Sequence, residues 1–215
     1  MNRDIIIADD HPLFRVAMVN VLNRLPGHIT VHEVESFAAL ECYLQSRSTP
    51  PNLLLLDLKL PDTNGLNGLL SLKKNYQNLP VAVISAYDDD SIIAQIRDYG
   101  ALGFVSKSLQ IEAMLNSIEK LLAGESCFPD CSKGDCDERL TKGFRELTPN
   151  QLKVLQLLKD GKPSKTIAAT LGVTEATIKA HLTTIFKKLG VRNRTQAVIA
   201  ANQLELPDDF EARSA

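Results

Sequence analysis

The stretch Asn52–Gly65, NLLLLDLKLPDTNG, constrains this chain more than any other. Four consecutive leucines run straight into Asp57, and Pro61 and Gly65 then break the chain. A continuous apolar run of this length, bounded by turn residues, fits a strand buried on both faces of a parallel sheet. In an open α/β sheet, ligands sit at the carboxyl ends of such strands. A carboxylate held there is costly unless something cationic joins it. The alternative is a solvated acidic loop residue, and the rest of the chain decides between them.

The pattern recurs along residues 1–123. Short apolar runs at Ile5–Ala8, Thr30–Val34, Val81–Ile84 and Gly103–Val105 alternate with segments of helical period, each ending in a polar residue or turn. Pro12 is placed to open the first helix, and Ser36 to cap the second, Phe37–Gln45. Gly65–Asn75 and Asp88–Tyr99 read as the third and fourth helices. Ile111, Met114, Leu115, Ile118, Leu121 and Leu122 give the fifth a strong apolar face. This alternation predicts a doubly wound parallel sheet with right-handed crossovers. In the strand order 2-1-3-4-5, Asp9-Asp10 and Asp57 converge on one crevice at the switch point. Ser85 and Lys107 then lie on the flanking strand ends.

Three carboxylates in one crevice repel one another unless a cation sits between them. Mg²⁺ suits them, being a hard cation that keeps room for phosphate oxygens. Lys107 adds a positive charge for a phosphoryl oxygen, and the Ser85 hydroxyl can hydrogen-bond another. An aspartate can itself attack phosphorus and form an acyl phosphate, a transfer catalysed mostly by positioning and charge neutralisation. With these residues in place, positions 4–123 resemble the receiver domain of two-component response regulators, a flavodoxin-like (βα)5 fold. The resemblance implies Asp57 as phosphoacceptor, with Asp10, Asp57 and the Lys59 backbone carbonyl as direct Mg²⁺ ligands and Asp9 acting through water. It also implies Lys107 as the cation that faces the phosphoryl group, Ser85 as the hydroxyl switch residue and Phe104 as the ring switch. Ser85 stands where Thr is commoner, and Phe104 lacks the hydroxyl of the frequent Tyr, so its switching would rest on packing.

Residues 124–146 read as a linker by composition, rich in glycine, serine and charge. Cys127, Cys131 and Cys136 lie in it without nearby His or tight pair spacing, which favours ordinary linker cysteines over a zinc site. Few cysteines, no apolar run long enough for a membrane span and no secretory signal point to the cytoplasm.

The net charge of −2 hides an asymmetry. Between Leu147 and Leu206 nine Lys/Arg face three Asp/Glu, a balance of +6, leaving −8 for the remainder. A basic part beside an acidic one points to a polyanionic partner. Thr148-Pro149-Asn150-Gln151 has capping-box form, and helices follow at Pro149–Lys159, Lys165–Leu171 and Glu175–Leu189, with a last one from about Asn193 to Leu204. The middle pair, joined by Gly172-Val173, reads as a helix-turn-helix. Ile178, Leu182, Ile185, Phe186 and Leu189 form the inward face of its second helix. Ala176, Ala180, Thr183 and Lys187 lie opposite, flanked by Lys179 and Thr184. Small and hydroxylated residues allow approach to base edges, and lysines meet phosphates or purine acceptors. A solvated lysine face is the alternative. The last helix, with Ala197, Val198, Ala200 and Ala201, offers an apolar surface for self-association. Residues 207–215 read as an acidic tail.

Residues 147–206 form a small all-α, four-helix unit that resembles the LuxR-type helix-turn-helix of NarL/FixJ-type regulators, carried by Leu147-Thr148, Gly161, Ile167-Ala168, Thr177-Ile178-Lys179, His181, Lys188-Leu189 and Arg194. The resemblance makes Lys179, Ala180 and Thr183 base-facing, with Thr177, Lys187 and Lys165 as further DNA contacts. Together the two resemblances imply a regulator rather than an enzyme, phosphorylated by a sensor histidine kinase and acting on promoter DNA as a homodimer, with RNA polymerase as a candidate partner and no membrane. Two rivals are a regulator with an idle receiver and a Mg²⁺-dependent phosphohydrolase. The second would usually carry an acid two residues after the nucleophile, where this chain has Lys59.

Overall fold

The structure is a computed structural model and describes residues 2–86, 88–129 and 138–202. The described residues fall into two units, one ending at residue 129 and one beginning at residue 138.

In the first unit, strands β1 (Asn2–Ala8), β2 (His28–Val34), β3 (Leu53–Asp57), β4 (Val81–Ser85) and β5 (Gly103–Ser106) form one parallel sheet. Their order is β2-β1-β3-β4-β5, as the sequence predicts. Helices α1 (Pro12–Leu22), α2 (Phe37–Gln45), α3 (Leu66–Asn75), α4 (Asp90–Asp98) and α5 (Ile111–Leu122) follow the strands in turn. A two-residue ribbon, Lys59–Leu60 against Thr63–Asn64, fills the turn after β3.

Alternate strand residues feed opposite faces. On one face Ile5, Ile7, Leu53, Leu55, Ala82, Ile84 and Val105 form a single core with Met18 and Leu22 of α1 and Met114, Ile118 and Leu121 of α5. The intervening Ile6, Leu54, Leu56, Val83 and Phe104 are buried too. Burial on both faces explains why β3 could be an unbroken leucine run. The apolar periodicity of α1 is less closely obeyed: Leu13 and Val16 are exposed, and Met18, Val21 and Leu22 face the core.

The second unit holds α6 (Glu138–Glu146), α7 (Pro149–Lys159), α8 (Ser164–Leu171), α9 (Glu175–Leu189) and α10 (Arg194–Asn202). The expected capping box is present at Thr148 and Gln151, and Thr174 caps α9 by accepting from Thr177 N–H. Ile178, Leu182, Ile185 and Leu189 are buried as expected, while Phe186 is half-buried.

Two readings of the sequence need correction here. The span read as linker contains α6, so a fifth helix precedes the four foreseen. Its Thr141, Phe144 and the following Leu147 are buried, and Gly143 approaches α9 so closely that a Cβ would lie 2.6 Å from the Lys188 carbonyl oxygen. Charge and glycine made this segment look like linker, whereas the glycine is what admits it to the core. The alanine surface of α10 is also not available for self-association: Ala197, Ala200 and Ala201 are buried within the unit, and Ile199 is the exposed apolar residue there. Residues 207–215, Cys131 and Cys136 lie outside the described residues.

Candidate phosphoacceptor site and nucleic-acid interface

Asp57 ends β3 and Asp9 directly follows β1, its neighbour in the sheet, so both carboxylates emerge at the carboxyl edge. Asp57 is 2 % exposed and Asp9 is fully buried. Lys107 lies just past β5, where its N–H donates to the Ser85 carbonyl oxygen at 2.8 Å. Its Nζ stands 2.7 Å from Asp57 Oδ2 and 2.7 Å from Asp9 Oδ2. One ammonium therefore bridges two buried carboxylates, and the Phe14 ring flanks it at 4.6 Å.

The electrostatics follow from that arrangement. Burial pushes the Asp57 carboxyl above the ordinary range, Lys107 opposes this, and the nearby Asp9 reinforces it. Burial also pulls on the Lys107 ammonium, but Asp57 and Asp9 outweigh it and hold its pKa above the usual lysine value. The Asp57 Oδ1 accepts from Lys59 N–H at 3.2 Å. Asp9 is pinned in turn, with Oδ1 accepting from His11 N–H at 2.7 Å and its carbonyl oxygen from the Arg15 guanidinium at 2.6 Å.

Asp10 stands at the rim. Its Oδ1 is buried without a hydrogen bond, 2.7 Å from the His11 Nδ1. Asp9, Asp10, His11 and Asp57 each offer a ligand atom, all within 4.8 Å of one another. The three carboxylates of that set are hard oxygen donors of the kind a Mg²⁺ ion takes. A cavity of about 280 Å³ opens over Asp57, lined by His11, Phe14, Lys59 and Lys107.

The structure thus brings Asp9, Asp10, Asp57, Lys59 and Lys107 together. Ser85 is buried at the end of β4, and Phe104 is buried within β5 beside Val83; neither lines the cavity. Sequence reasoning did not give His11, Phe14 and Arg15 a place at the site. The signal was their position: they fall at the N-cap and first turn of α1, straight after the acidic pair.

In the second unit Lys165, Thr177, Lys179, Ala180, Thr183 and Lys187 are all exposed. Lys179 pairs with Glu175 at 3.1 Å on the outer face of α9. Thr177 has a structural duty, its hydroxyl 2.8 Å from that of Thr174 at the helix start. Arg194 is likewise structural here, donating to the Lys162 carbonyl at 2.8 Å and to that of Leu158 at 3.3 Å.

A parallel sheet with an acidic pit, joined in one chain to a helix-turn-helix, defines a DNA-binding response regulator. Residues 5–119 match the response regulator receiver domain family, and residues 145–201 the bacterial regulatory proteins of the luxR family. A glycerol metabolism activator of Pseudomonas putida is 36% identical over 94% of this chain and 96% of its own length. The nitrate/nitrite response regulator NarL of Escherichia coli (strain K12) is 28% identical over 93% of this chain and 94% of its own. Among solved structures, RcsB from Salmonella enterica serovar Typhimurium, bound to a promoter with the phosphomimetic BeF3-, aligns with a TM-score of 0.55 at 25% identity, covering 94% of this chain and 98% of that one. The chain belongs to the NarL/FixJ-type response regulators, two-component transcription regulators with a receiver domain and a LuxR-type DNA-binding domain. Its relatives are transcription regulators rather than classical enzymes. Among the described residues no helix is long and apolar enough to cross a membrane.

Proposed function

We propose that Asp57 accepts a phosphoryl group from a sensor histidine kinase and that its phosphorylation controls dimerisation and promoter binding by the helix-turn-helix. The observation that carries this reading is the shared ammonium, with Lys107 Nζ at 2.7 Å from both Asp57 and Asp9. In the transfer an Asp57 carboxylate oxygen forms a bond to phosphorus while the bond from phosphorus to the donor's imidazole nitrogen breaks. Lys107 then meets a phosphoryl oxygen, and Lys59 N–H holds the other carboxylate oxygen. Asp9, Asp10, Asp57 and the Lys59 carbonyl would hold Mg²⁺, which neutralises charge building on the transferred group. The pit over Asp57 is small and lined by Phe14 and Lys59, which restricts the donor to a slender group.

The acyl phosphate adds roughly two negative charges at Asp57. Ser85, at the end of the adjacent strand β4, is within the reading as its hydroxyl partner, and Phe104 as the packing switch on β5. In the second unit Lys179, Ala180 and Thr183 read bases, while Thr177, Lys165 and Lys187 contact the backbone. Such a protein works in the cytoplasm, where kinase and DNA meet, with RNA polymerase as a further partner on the promoter. The promoter-bound Salmonella RcsB relative supports the DNA-binding half of the reading.

The test is sedimentation and fluorescence anisotropy on duplexes selected from a random pool, with and without Mg²⁺ and acetyl phosphate. The expected outcome is tighter binding and a shift to dimer on phosphorylation. Unchanged affinity and mass would refute the control and leave a regulator with an idle receiver.

A further inference from the structure

Helix α5 ends with Gly124 in the left-handed region, φ 82°, where its N–H donates to the Leu121 carbonyl at 3.0 Å and the Glu125 N–H to that of Lys120 at 2.9 Å. This glycine-capped stop turns the chain back towards the sheet. Three residues on, the chain runs parallel to β5 along its free edge. Cys127 N–H donates to the Leu102 carbonyl at 3.1 Å, and Phe104 N–H donates to the Cys127 carbonyl at 2.8 Å.

Two further features show that this contact is built into the molecule. A Cβ at Gly103 would lie 2.4 Å from the Cys127 carbonyl oxygen and 2.7 Å from Leu121 Cδ2, so only glycine there admits the segment. The next residue, Phe128, carries the Arg97 guanidinium over its ring at 4.7 Å, and Arg97 belongs to α4. Residues 125–128 are thus strapped across the edge of β5 and tied to α4.

The strap grips the switch residue by its backbone. Phe104 stands three residues before Lys107 on a four-residue strand, and Lys107 is tied by its own N–H to the Ser85 carbonyl. Beyond the strap the same chain leads to α6 of the DNA-binding unit. Resting on the phosphoacceptor reading above, we infer that Gly103, Cys127 and Phe128 are positioning residues for the switch: the strap couples the state of β5 to the point at which the chain leaves for the DNA-binding unit. A phosphoryl group held at once by the Ser85 and Lys107 side chains clamps the carboxyl ends of β4 and β5 together. The strap bonds to Leu102 and Phe104, the nearer of them two residues short of the Ser85–Ser106 rung where the clamp acts on the same four-residue strand, so phosphorylation tightens the strap through β5.

The test is NMR-detected hydrogen exchange on the full chain with Mg²⁺, before and after acetyl phosphate, with intact mass recorded in parallel. The Phe104 and Cys127 amides are expected to exchange about fivefold more slowly in the phosphorylated protein, the low end of ordinary coupling between sites. Phe128→Ala, which leaves pit and sheet intact, should speed Cys127 exchange and shrink that response. Gly103→Ala should abolish Cys127 protection outright. An adduct with unchanged exchange at both amides overturns the coupling and leaves the phosphoacceptor reading standing. Absence of any adduct overturns both, and retained protection in Gly103→Ala overturns the docking itself.

Discussion

The two units of this regulator hold their functional charges in opposite ways. In the receiver, one ammonium at 2.7 Å serves two carboxylates that are almost wholly buried, so each group's state depends on the others. In the helix-turn-helix, the Lys179–Glu175 pair lies at 3.1 Å with side chains 70% and 47% exposed, where water screens each charge. The first arrangement makes a device with two states, because no member can change alone. The second makes a reading head whose members contribute separately.

That contrast predicts coupled losses in one unit and additive ones in the other. The largest effect is expected for Lys107→Met in metal-free protein, which strands two buried carboxylates and should cost about 3–5 kcal/mol. Most of this should return in the Lys107→Met, Asp57→Asn double variant, measured by urea unfolding of the receiver. Simple additivity would break the comparison at its root. The pH dependence has a definite sign. Burial raises the Asp57 pKa in the folded state, so the unfolded chain releases its proton first, and stability falls as pH climbs from the unfolded carboxylate value of about 3.9 through the raised one. Asp57→Asn removes that loss, so its stability advantage over wild type should grow across the same window in thermal melts without Mg²⁺.

Phe144→Ala comes next, at about 3 kcal/mol, because its ring is 1% exposed in the core of the second unit. A negligible change in the unfolding midpoint of that unit would return α6 to the linker. Lys179→Ala should cost about 1–3 kcal/mol on a selected duplex and far less on random DNA. Lys187→Ala should weaken both alike and lower the salt slope by about one, and the two losses should add. Thr148→Ala, which removes the capping box of α7, should be the smallest at about 1 kcal/mol in the second unit's melt.

The same contrast explains what could be read from the sequence. Leu53–Asp57 was legible because a strand buried on both faces leaves a continuous apolar run, and the topology that follows brings Asp9, Asp57 and Lys107 to one edge. For His11, Phe14 and Arg15 the sequence offered only their position straight after the acidic pair, since their contacts depend on how α1 docks after β1. The outer face of α9 was legible as a face, because period alone assigns it, while its individual contacts depend on a DNA surface. Helix α6 was missed for another reason. Its buried Thr141 and Phe144, with Leu147 just beyond it, do follow helical spacing, but Gly143 and the surrounding charges suggested a linker, and only a neighbour passing within contact of that glycine gives it meaning. The strap at Cys127 escaped similarly, as a sheet edge can be covered by almost any backbone.

The most direct test of the central claim is the intact mass of the protein after incubation with Mg²⁺ and acetyl phosphate, wild type beside Asp57→Asn. A single phosphoryl adduct on wild type, absent from the variant, is what a carboxylate held by Lys107 in this pit predicts. An adduct that persists in Asp57→Asn, or none on either protein, would contradict it.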